Sequence, residues 1–311
     1  MKYDKVMITG GSGLLGRFVV DEMIGHSVVT VLDIEPPARD VAFHHADVLD
    51  PGAVSAAVAG QDAIIHLAGI DDGNDFPDRD YFTTNVQGTW NLLHAAEAAG
   101  VRKIVVASST AVYGVGRHRM PDYLPMDEDH PQRPTATYSL TKQIIEVQCR
   151  SFVARGKLAI VCLRPTLIVR PEREAAILAQ LRLDDPDSDP PPGRPPGGDA
   201  PYGALSVLRS YVRSEDAARC FRLALAFDDH AFHVFNVAAA DGIGRDKTLE
   251  RLERIYARLP ELRMPERFRS DPCASVLDSS RAREQLGWEP RGDWDSIARK
   301  HTNSQQQEHR P

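Results

Sequence analysis

Tyr138 and Lys142 stand four residues apart in the segment Tyr-Ser-Leu-Thr-Lys. If the segment is helical, this spacing puts the phenol and the ammonium on one face. A nearby cation favours the phenolate form and lowers a tyrosine pKa that is ~10 in isolation. Such a phenol could act as a general acid and base for an alcohol or a carbonyl group. A Tyr–Lys pair alone is more often a surface contact, so its meaning depends on the residues around it.

Ser108 and Ser109 follow a short apolar run, residues 103–107, that predicts a strand. Ligands of open α/β sheets bind outside the carboxyl ends of the strands. A serine hydroxyl at that edge can hydrogen-bond the substrate oxygen whose proton Tyr138 takes or gives. The sequence therefore predicts a proton-transfer site made from a hydroxyl, a phenol and an ammonium.

A glycine-rich turn, Thr9-Gly-Gly-Ser-Gly-Leu-Leu-Gly16, separates the first predicted strand from the first predicted helix. Gly10 allows a tight turn, Gly13 lets the backbone approach a pyrophosphate, and Gly16 allows close helix packing. The N-terminus of the helix adds oriented N–H groups and a partial positive charge. This arrangement favours a dinucleotide site over a turn without a ligand.

Asp33 ends the second predicted strand, 17 residues after Gly16. A carboxylate at this position can accept hydrogen bonds from the ribose diol of an adenosine and would repel a 2′-phosphate. Ile34 and Glu35 follow, and the next basic residue is Arg39. We therefore expect NAD rather than NADP as the cofactor.

Short runs rich in Val and Ile alternate with longer segments of helical period through the first half of the chain. Nearly all-apolar strands that alternate with helices indicate a parallel sheet covered on both faces. We predict an α/β fold, a Rossmann-type doubly wound parallel sheet with a smaller C-terminal substrate-binding α/β region. The predicted strands are 6–9, 28–32, 63–66, 103–107 and 158–163, and the predicted helices are 14–24, 84–99 and 137–154.

The pattern changes after Arg164. Residues 184–201 hold seven prolines, three glycines and five aspartates. Such a stretch cannot bury enough apolar surface to offset its ordering entropy, so we expect a flexible loop or lid. Beyond it we predict a helix from about Ser214 to residue 226, a strand at 232–237, and helices at 248–258 and 279–286. The predicted division is 1–168 for an NAD-binding Rossmann domain, 169–299 for a mostly substrate-binding region with strands that could return to the sheet, and 300–311 for a polar, frayed tail.

The composition narrows the class of protein. The 311 residues are 42% apolar and 26% charged, and 37 Lys and Arg against 44 Asp and Glu give a formal net charge of −7. This balance disfavours nucleic acid as a partner, because no excess of cations is left for phosphates. We expect no membrane span, since no run of 18 apolar residues occurs, and no signal peptide. The four cysteines show no CxxC spacing and the histidines no HExxH, so we expect no metal site and a reducing, cytoplasmic compartment.

Taken together, these motifs resemble the extended short-chain dehydrogenases/reductases, in the branch of NAD-dependent sugar epimerases and dehydratases. The turn of Gly10, Gly13 and Gly16 resembles the branch's Gly-x-x-Gly-x-x-Gly motif. The resemblance runs over nearly the whole chain and implies a catalytic triad of Ser109, Tyr138 and Lys142. The cofactor contacts that it implies are Gly10, Gly13, Leu14, Leu15, Gly16, Asp33, Ile34, Asp47, Val48, Leu67, Ala68, Gly69, Asn85, Ser108, Tyr138, Lys142 and Pro165.

Arg209 opens the segment Arg-Ser-Tyr-Val-Arg-Ser-Glu-Asp, which resembles the branch's Arg-Asp-Tyr-Val-His-Val-Asp-Asp. The first arginine of that motif grips a diphosphate, so the resemblance implies the same role for Arg209, with Asp271 as a ribose contact. The branch is commonly dimeric through a bundle that includes the tyrosine-bearing helix, which implies a homodimer. The implied substrate contacts are Ser109, Tyr138, Arg209 and Asp271.

Two departures from the branch bear on the reaction. Dehydratases of the branch carry Asp-Glu directly after the active serine, where this chain has Thr110 and Ala111. A 4,6-dehydratase is therefore disfavoured. Many nucleotide-sugar enzymes carry Asn three residues after the arginine of the Arg164-Pro turn, where this chain has Leu167. A leucine cannot hydrogen-bond a nucleotide.

Three functions remain open. The favoured one is an NAD-dependent nucleotide-sugar 4-epimerase, in which Tyr138 takes the O4 proton, C4 is oxidised transiently, and hydride returns to the other face. It needs no further acid, which fits Thr110 and Ala111. The second is an NAD-dependent sugar or uronate dehydrogenase, or a ketoreductase, with net hydride transfer, which fits Leu167 somewhat better. The third, a cofactor-binding regulatory or scaffold protein, is disfavoured because all three residues of the triad are present.

Overall fold

A seven-stranded parallel sheet forms the centre of the computed structural model, which describes residues 2–72, 76–183 and 208–308. The predicted fold class, a doubly wound α/β sheet of the Rossmann type, is confirmed. The strands are β1 (Lys5–Thr9), β2 (Val28–Asp33), β3 (Ala42–His45), β4 (Ala63–His66), β5 (Lys103–Ala107), β6 (Tyr123–Leu124), β7 (Ala159–Pro165), β8 (Leu167–Val169), β9 (Tyr211–Arg213), β10 (His233–Val237) and β11 (Glu261–Leu262).

Helices of very different length connect these strands. In chain order they are α1 (Gly16–Met23), α2 (Pro51–Val58), α3 (Asp78–Tyr81), α4 (Gly88–Ala99), α5 (Thr137–Ala154), α6 (Pro171–Leu183), α7 (Ser214–Ala226), α8 (Thr248–Tyr256), α9 (Pro265–Ser270), α10 (Ser280–Leu286) and α11 (Trp294–Glu308). A π-helical turn (Phe82–Gln87) joins α3 to α4, and a 3₁₀ turn (Thr110–Tyr113) follows β5.

The main sheet has the strand order β10-β7-β5-β4-β1-β2-β3, and every pair of neighbours is parallel. The predicted strand 232–237 thus returns to the sheet as β10, beside β7. Two further parallel pairs, β6 with β11 and β8 with β9, form separate two-stranded sheets. Because all seven strands of the main sheet run in one direction, the residues that follow β1, β4, β5 and β7 gather at a single edge.

Apolar cores lie on both faces of the sheet, as a doubly wound fold requires. One core packs Val20 of α1 and Phe221 of α7 against the strands, together with Trp288. The opposite core packs Leu92 of α4 and Phe152 of α5. All seven residues of β7 are buried, which explains why this strand reads as a continuous apolar run.

Helix α5 has the bounds that the sequence predicts, 137–154, whereas the predicted helix 84–99 is longer and less regular. It begins as α3 at Asp78 and passes through the π-helical turn before it continues as α4. Apolar spacing does not reveal a π-helical turn. The sequence also missed β3, three of whose four residues are exposed, and α2, although Asp50 caps it.

The C-terminal tail is a correction. We expected residues from 300 onward to be frayed, but α11 continues to Glu308. Trp294 and Ile297 are buried, and farther along the helix His301 and Lys300 contact the buried Glu174 of α6 at 2.9 and 3.3 Å. The predicted loop 184–201 lies outside the described residues. None of the helices within the described ranges is long and apolar enough to cross a membrane.

Candidate active site

The structure brings Ser109, Tyr138 and Lys142 together at the carboxyl edge of the sheet. Ser109 follows β5, and its hydroxyl accepts the Ala111 N–H at 3.1 Å and hydrogen-bonds the Tyr138 phenol. Lys142 lies one turn after Tyr138 on α5, with its Nζ 5.6 Å from the centre of the tyrosine ring. Lys142 also donates to the Ala107 carbonyl at the end of β5, at 2.9 Å.

A serine within the Tyr138 segment starts the helix that carries the phenol. The Ser139 hydroxyl accepts the Ala136 N–H at 3.2 Å and donates to the Ala136 carbonyl at 2.8 Å. The first bond satisfies an N–H group that a helix N-terminus otherwise leaves without a partner, whereas the Ala136 carbonyl also accepts the Leu140 N–H at 3.0 Å. The helix therefore begins at Thr137, which puts Tyr138 in its first turn, beside the sheet edge.

Burial dominates the titration of both groups. It raises the pKa of Tyr138, against a lowering by the hydrogen bond to Ser109, and the carboxylates of Asp72 and Asp71 raise it further. Burial lowers the pKa of Lys142 to about 8, against the attraction of Asp71. The sequence led us to expect that Lys142 lowers the tyrosine pKa. In the structure the loss of hydration on burial acts in the opposite direction and raises the tyrosine pKa.

Behind the triad lies a buried ion pair that the sequence analysis did not single out. Glu146, one turn after Lys142 on α5, accepts two hydrogen bonds from Arg164 of β7, at 2.8 and 2.7 Å. Both side chains are 2% exposed. Ser108 and Gln132 also donate to Glu146, at 2.6 and 2.7 Å. The continued spacing of four residues after Tyr138 and Lys142 was the available sequence signal.

The network continues toward β10. The remaining arm of Arg164 donates to the Tyr113 hydroxyl at 2.9 Å, and that hydroxyl lies 2.6 Å from the Asn236 side-chain oxygen. Glu128 accepts the Asn236 backbone N–H at 2.7 Å, and burial raises the pKa of Glu128 to about 6. These bonds hold four segments together at the sheet edge, namely those of Tyr113, Glu128, Arg164 and Asn236.

The glycine-rich turn packs directly on the loop that follows β4. Gly10 has a φ of 70°, and a Cβ there would lie 2.6 Å from the Ala68 nitrogen. A Cβ on Gly16 would lie 2.0 Å from the Gly10 carbonyl oxygen. Neither position tolerates a side chain, so this turn requires glycine at both.

Asp33 lies at the rim of the same turn. Its carboxylate accepts the Ser12 N–H at 2.9 Å and the Glu35 N–H at 3.2 Å. Leu14, in the turn before α1, and Ile34, directly after Asp33, are 52% and 59% exposed. A carboxylate flanked by uncovered apolar surface and by the start of α1 fits the ribose, base and pyrophosphate of a dinucleotide.

The other predicted cofactor residues lie around this rim. Asp47 accepts the Leu49 N–H at 2.9 Å, and the Val48 carbonyl accepts a bond from Asn91 at 3.0 Å. Asn85 lies in the π-helical turn, a geometry found frequently at functional sites. Gly13 and Leu15 lie in the turn before α1, and Gly16 is the first residue of that helix. The other predicted contacts follow β4 (Leu67, Ala68 and Gly69), follow β5 (Ser108) or end β7 (Pro165).

The two predicted diphosphate and ribose contacts lie in the C-terminal region, on either side of the segment 242–246. Arg209, with a φ of 46°, forms an ion pair with Asp246 at 2.8 Å. The Arg209 carbonyl accepts the Ile243 N–H at 2.7 Å. The Asp271 carboxylate accepts the Cys273 N–H at 2.9 Å. The sequence did not reveal that Arg209 already has a carboxylate partner.

Comparison with known proteins places these features in a family. The sequence model of the NAD dependent epimerase/dehydratase family matches residues 6–238, from within β1 to just past β10. The chain is similar to the UDP-glucose 4-epimerase of Corynebacterium glutamicum, at 27% identity over 304 residues. That alignment spans 92% of this chain and 91% of the relative.

Solved structures agree with the fold. A short-chain dehydrogenase/reductase superfamily protein from Agrobacterium tumefaciens with bound NAD superposes with a TM-score of 0.71 at 25% identity, over 97% of both chains. The UDP-glucose 4-epimerase from Brucella ovis in complex with NAD gives a TM-score of 0.69 at 23% identity, over 94% of this chain and 96% of the other.

Glu146→Gln tests the buried ion pair. The amide keeps the shape of the carboxylate but leaves the Arg164 charge without compensation. We expect the free energy of unfolding to fall by about 3–5 kcal/mol, the usual cost of breaking a buried pair from one side. Denaturant unfolding measures it. Asp21→Asn, which breaks the exposed pair with Arg39, should cost less than about 1 kcal/mol. Equal losses in the two variants would contradict this account.

Proposed function

Because the chain belongs to the NAD-dependent epimerase/dehydratase family and its cofactor is NAD, we propose that it is a nucleotide-sugar 4-epimerase. The observation that carries the proposal is the meeting of the Ser109 hydroxyl, the Tyr138 phenol and the Lys142 ammonium at the carboxyl edge of the sheet. The relative from Corynebacterium glutamicum, which carries the name UDP-glucose 4-epimerase, supports this reaction.

NAD would supply the acceptor and donor of hydride. We propose that the turn from Gly10 to Gly16, including Gly13, Leu14 and Leu15, holds its pyrophosphate, and that Asp33 binds the adenosine ribose. Lys142 would reach the ribose at the nicotinamide end. The other proposed contacts are Ile34, Asp47, Val48, Leu67, Ala68, Gly69, Asn85, Ser108, Tyr138 and Pro165.

In the proposed reaction Tyr138 moves the proton of the sugar hydroxyl at C4. The phenolate form of Tyr138 takes this proton when C4 is oxidised, and the phenol so formed returns it when C4 is reduced, while the Ser109 hydroxyl holds the same oxygen. Thr110 and Ala111, in the turn after Ser109, have no ionisable side chain. The site therefore has the groups for proton transfer at one oxygen, which an epimerisation requires, without the adjacent acid pair of a dehydration.

A second candidate is an NAD-dependent sugar or uronate dehydrogenase, or a ketoreductase, with net transfer of hydride. The ion pair between Arg209 and Asp246 favours this second candidate. Asp246 already neutralises Arg209, and Leu167 offers no polar group, so a substrate without a diphosphate would lose little here. The same triad serves both reactions, so the fate of the hydride separates them.

Turnover of UDP-glucose and UDP-galactose tests the proposal directly. We expect NMR to show the C4 epimer without a stoichiometric rise in NADH absorbance. Tyr138→Phe should keep NAD affinity within a few-fold and lower turnover by about two to four decades, because only the mobile proton is lost. Tyr256→Phe, which removes a phenol that bonds the Gly116 carbonyl, is the matched control and should keep its activity. Stoichiometric NADH from a free hexose or uronate would replace the epimerase with the second candidate.

Arg209 and Asp246 test the nucleotide part of the substrate. We expect Arg209→Ala to raise the KM for a UDP-sugar by about 10- to 100-fold, the range of a lost charge-assisted bond, with NAD affinity unchanged. Asp246→Asn should lower that KM, because the carboxylate competes with the diphosphate for the guanidinium. Steady-state kinetics measures both. An unchanged KM in Arg209→Ala would remove the diphosphate from the proposal.

We also propose a homodimer through α4 and α5. Leu140 and Val147 lie seven residues apart on α5 and are 43% and 62% exposed, and Trp90 on α4 is 40% exposed. Apolar side chains at helical spacing on an open face suit burial against a second copy of the same helices.

Val147→Glu tests this interface. A buried charge in the bundle should shift the protein from dimer to monomer in sedimentation velocity. Val28→Glu, at the first residue of β2, which is 64% exposed, is the control and should leave the wild-type distribution. A wild-type protein that sediments as a monomer at all concentrations tested would contradict the dimer.

A further inference from the structure

His66 is a buried histidine that the proposed proton transfer does not use. It ends β4, at the sheet edge directly below the predicted cofactor loop, and is 2% exposed. Its Nδ1 lies 2.6 Å from the Thr9 hydroxyl and its Nε2 lies 3.0 Å from the Thr89 hydroxyl. Thr9 precedes the glycine-rich turn, whereas Thr89 belongs to α4. His66 therefore links the residue before the glycine-rich turn to helix α4.

The neighbouring bonds determine which ring nitrogen carries the proton. The Thr89 hydroxyl donates its one hydrogen to the Asn85 carbonyl at 2.6 Å. It must therefore accept from His66, which places the proton on Nε2. A neutral ring then has a bare Nδ1, so the Thr9 hydroxyl donates to it. The Thr9 oxygen in turn accepts the Ala68 N–H at 3.3 Å.

These bonds form part of a closed ring around the loop 67–70. From Thr89 the ring passes to Asn85, whose side chain accepts the Ile70 N–H at 2.7 Å and donates to the Ile70 carbonyl at 2.9 Å. Ala68 closes the ring through Thr9. The loop is thus held at two points by one chain of directed hydrogen bonds, with the Gly10 turn packed against it.

The ring also reaches the helix that carries the phenol. Asn85 donates to the Thr141 hydroxyl at 3.2 Å, and Thr141 donates to the Tyr138 carbonyl at 2.7 Å. Burial, and then the charge of Lys142, lower the pKa of His66 to about 3. A protonated ring could not accept from Thr9 and would add a second cation below Lys142. The directed ring therefore persists across the neutral pH range.

We propose that His66 is a positioning residue that closes a hydrogen-bonded ring in its Nε2–H form. The ring holds the loop 67–70 in the shape that receives NAD. It also fixes the position of this loop relative to the helix that carries Tyr138. The inference rests on NAD as the cofactor and not on the identity of the sugar. A neutral imidazole suits this task because it accepts on one side and donates on the other across a fixed distance.

Nitrogen NMR of the wild-type protein tests the direction of the ring. With ¹⁵N-labelled histidine, we expect His66 to show a protonated Nε2 and a bare Nδ1, with no titration between pH 5.5 and 8. His66→Asn identifies the signals. A proton on Nδ1, or a titration near the ordinary histidine value of about 6.5, would overturn the proposal. The measurement needs no substrate, so a failed sugar assay leaves it intact.

Calorimetric NAD binding tests the consequence. Thr89→Val keeps the shape of the side chain but removes the hydroxyl that links His66 to Asn85, and we expect the NAD Kd to rise by about tenfold, a typical loss for one buried hydrogen bond. Thr83→Val removes a hydroxyl-to-carbonyl bond of the same kind, 2.8 Å to Arg79, on the preceding turn outside the ring. This control should bind NAD like the wild type.

A double variant separates a positioning role from loss of stability alone. If the ring acts as one unit, His66→Asn combined with Thr89→Val should weaken NAD binding no more than the stronger single variant does. His66→Gln, whose amide can donate toward Thr89, should recover part of the affinity lost in His66→Asn. Unchanged NAD binding in Thr89→Val, or losses that simply multiply in the double variant, would overturn the proposal.

Discussion

The buried ion pair between Glu146 and Arg164 is the constraint on which the geometry of the site depends. Neither charge is reached by water, so each must keep its partner, since an unpaired charge at this depth would cost several kcal/mol. Arg164 fills both oxygens of Glu146 and still holds the Tyr113 hydroxyl. Helix α5, strand β7 and the turn after β5 therefore fit together in one arrangement. In that arrangement Tyr138, about two turns before Glu146, lies beside Ser109.

Burial also sets the protonation of the site. It disfavours the charged form of any group, which is why it moves the pKa of Tyr138 up and that of Lys142 down. Both shifts bring the groups toward neutrality, and the Ala107 carbonyl gives Lys142 a fixed acceptor. The protonation of this pair is therefore set mainly by its buried surroundings, whereas that of an exposed Tyr–Lys pair would be set mainly by solvent.

Much of the fold could be predicted from local patterns in the sequence. Helix α5 could be delimited because its period is regular, and most strands of the main sheet could be found because burial on both faces makes them continuously apolar, whereas the largely exposed β3 was missed. The glycine-rich turn was recognisable because sterics admit only glycine at Gly10 and Gly16.

The rest depended on contacts between distant residues. Nothing near Arg209 in the sequence reveals that Asp246 neutralises it, and nothing near Glu146 reveals that its partner is Arg164. The direction of the Tyr138 pKa shift was missed for the same reason, because burial is a property of the assembled sheet edge. The tail from residue 300 was expected to be frayed because Glu174, which Lys300 and His301 of α11 contact, is more than a hundred residues away.

The π-helical turn Phe82–Gln87 divides one continuous helix into two faces with different tasks. Each additional residue in a helical turn rotates the downstream part of the helix by about 100°. Within the turn Asn85 is directed toward Ile70, and downstream of it Leu92 and Leu93 point into the core while Trp90 stays outside. A regular α-helix would satisfy one of these alignments and misplace the other. The wide turn therefore sets the angle between Asn85, which contacts the loop after β4, and the side chains of α4 that enter the core.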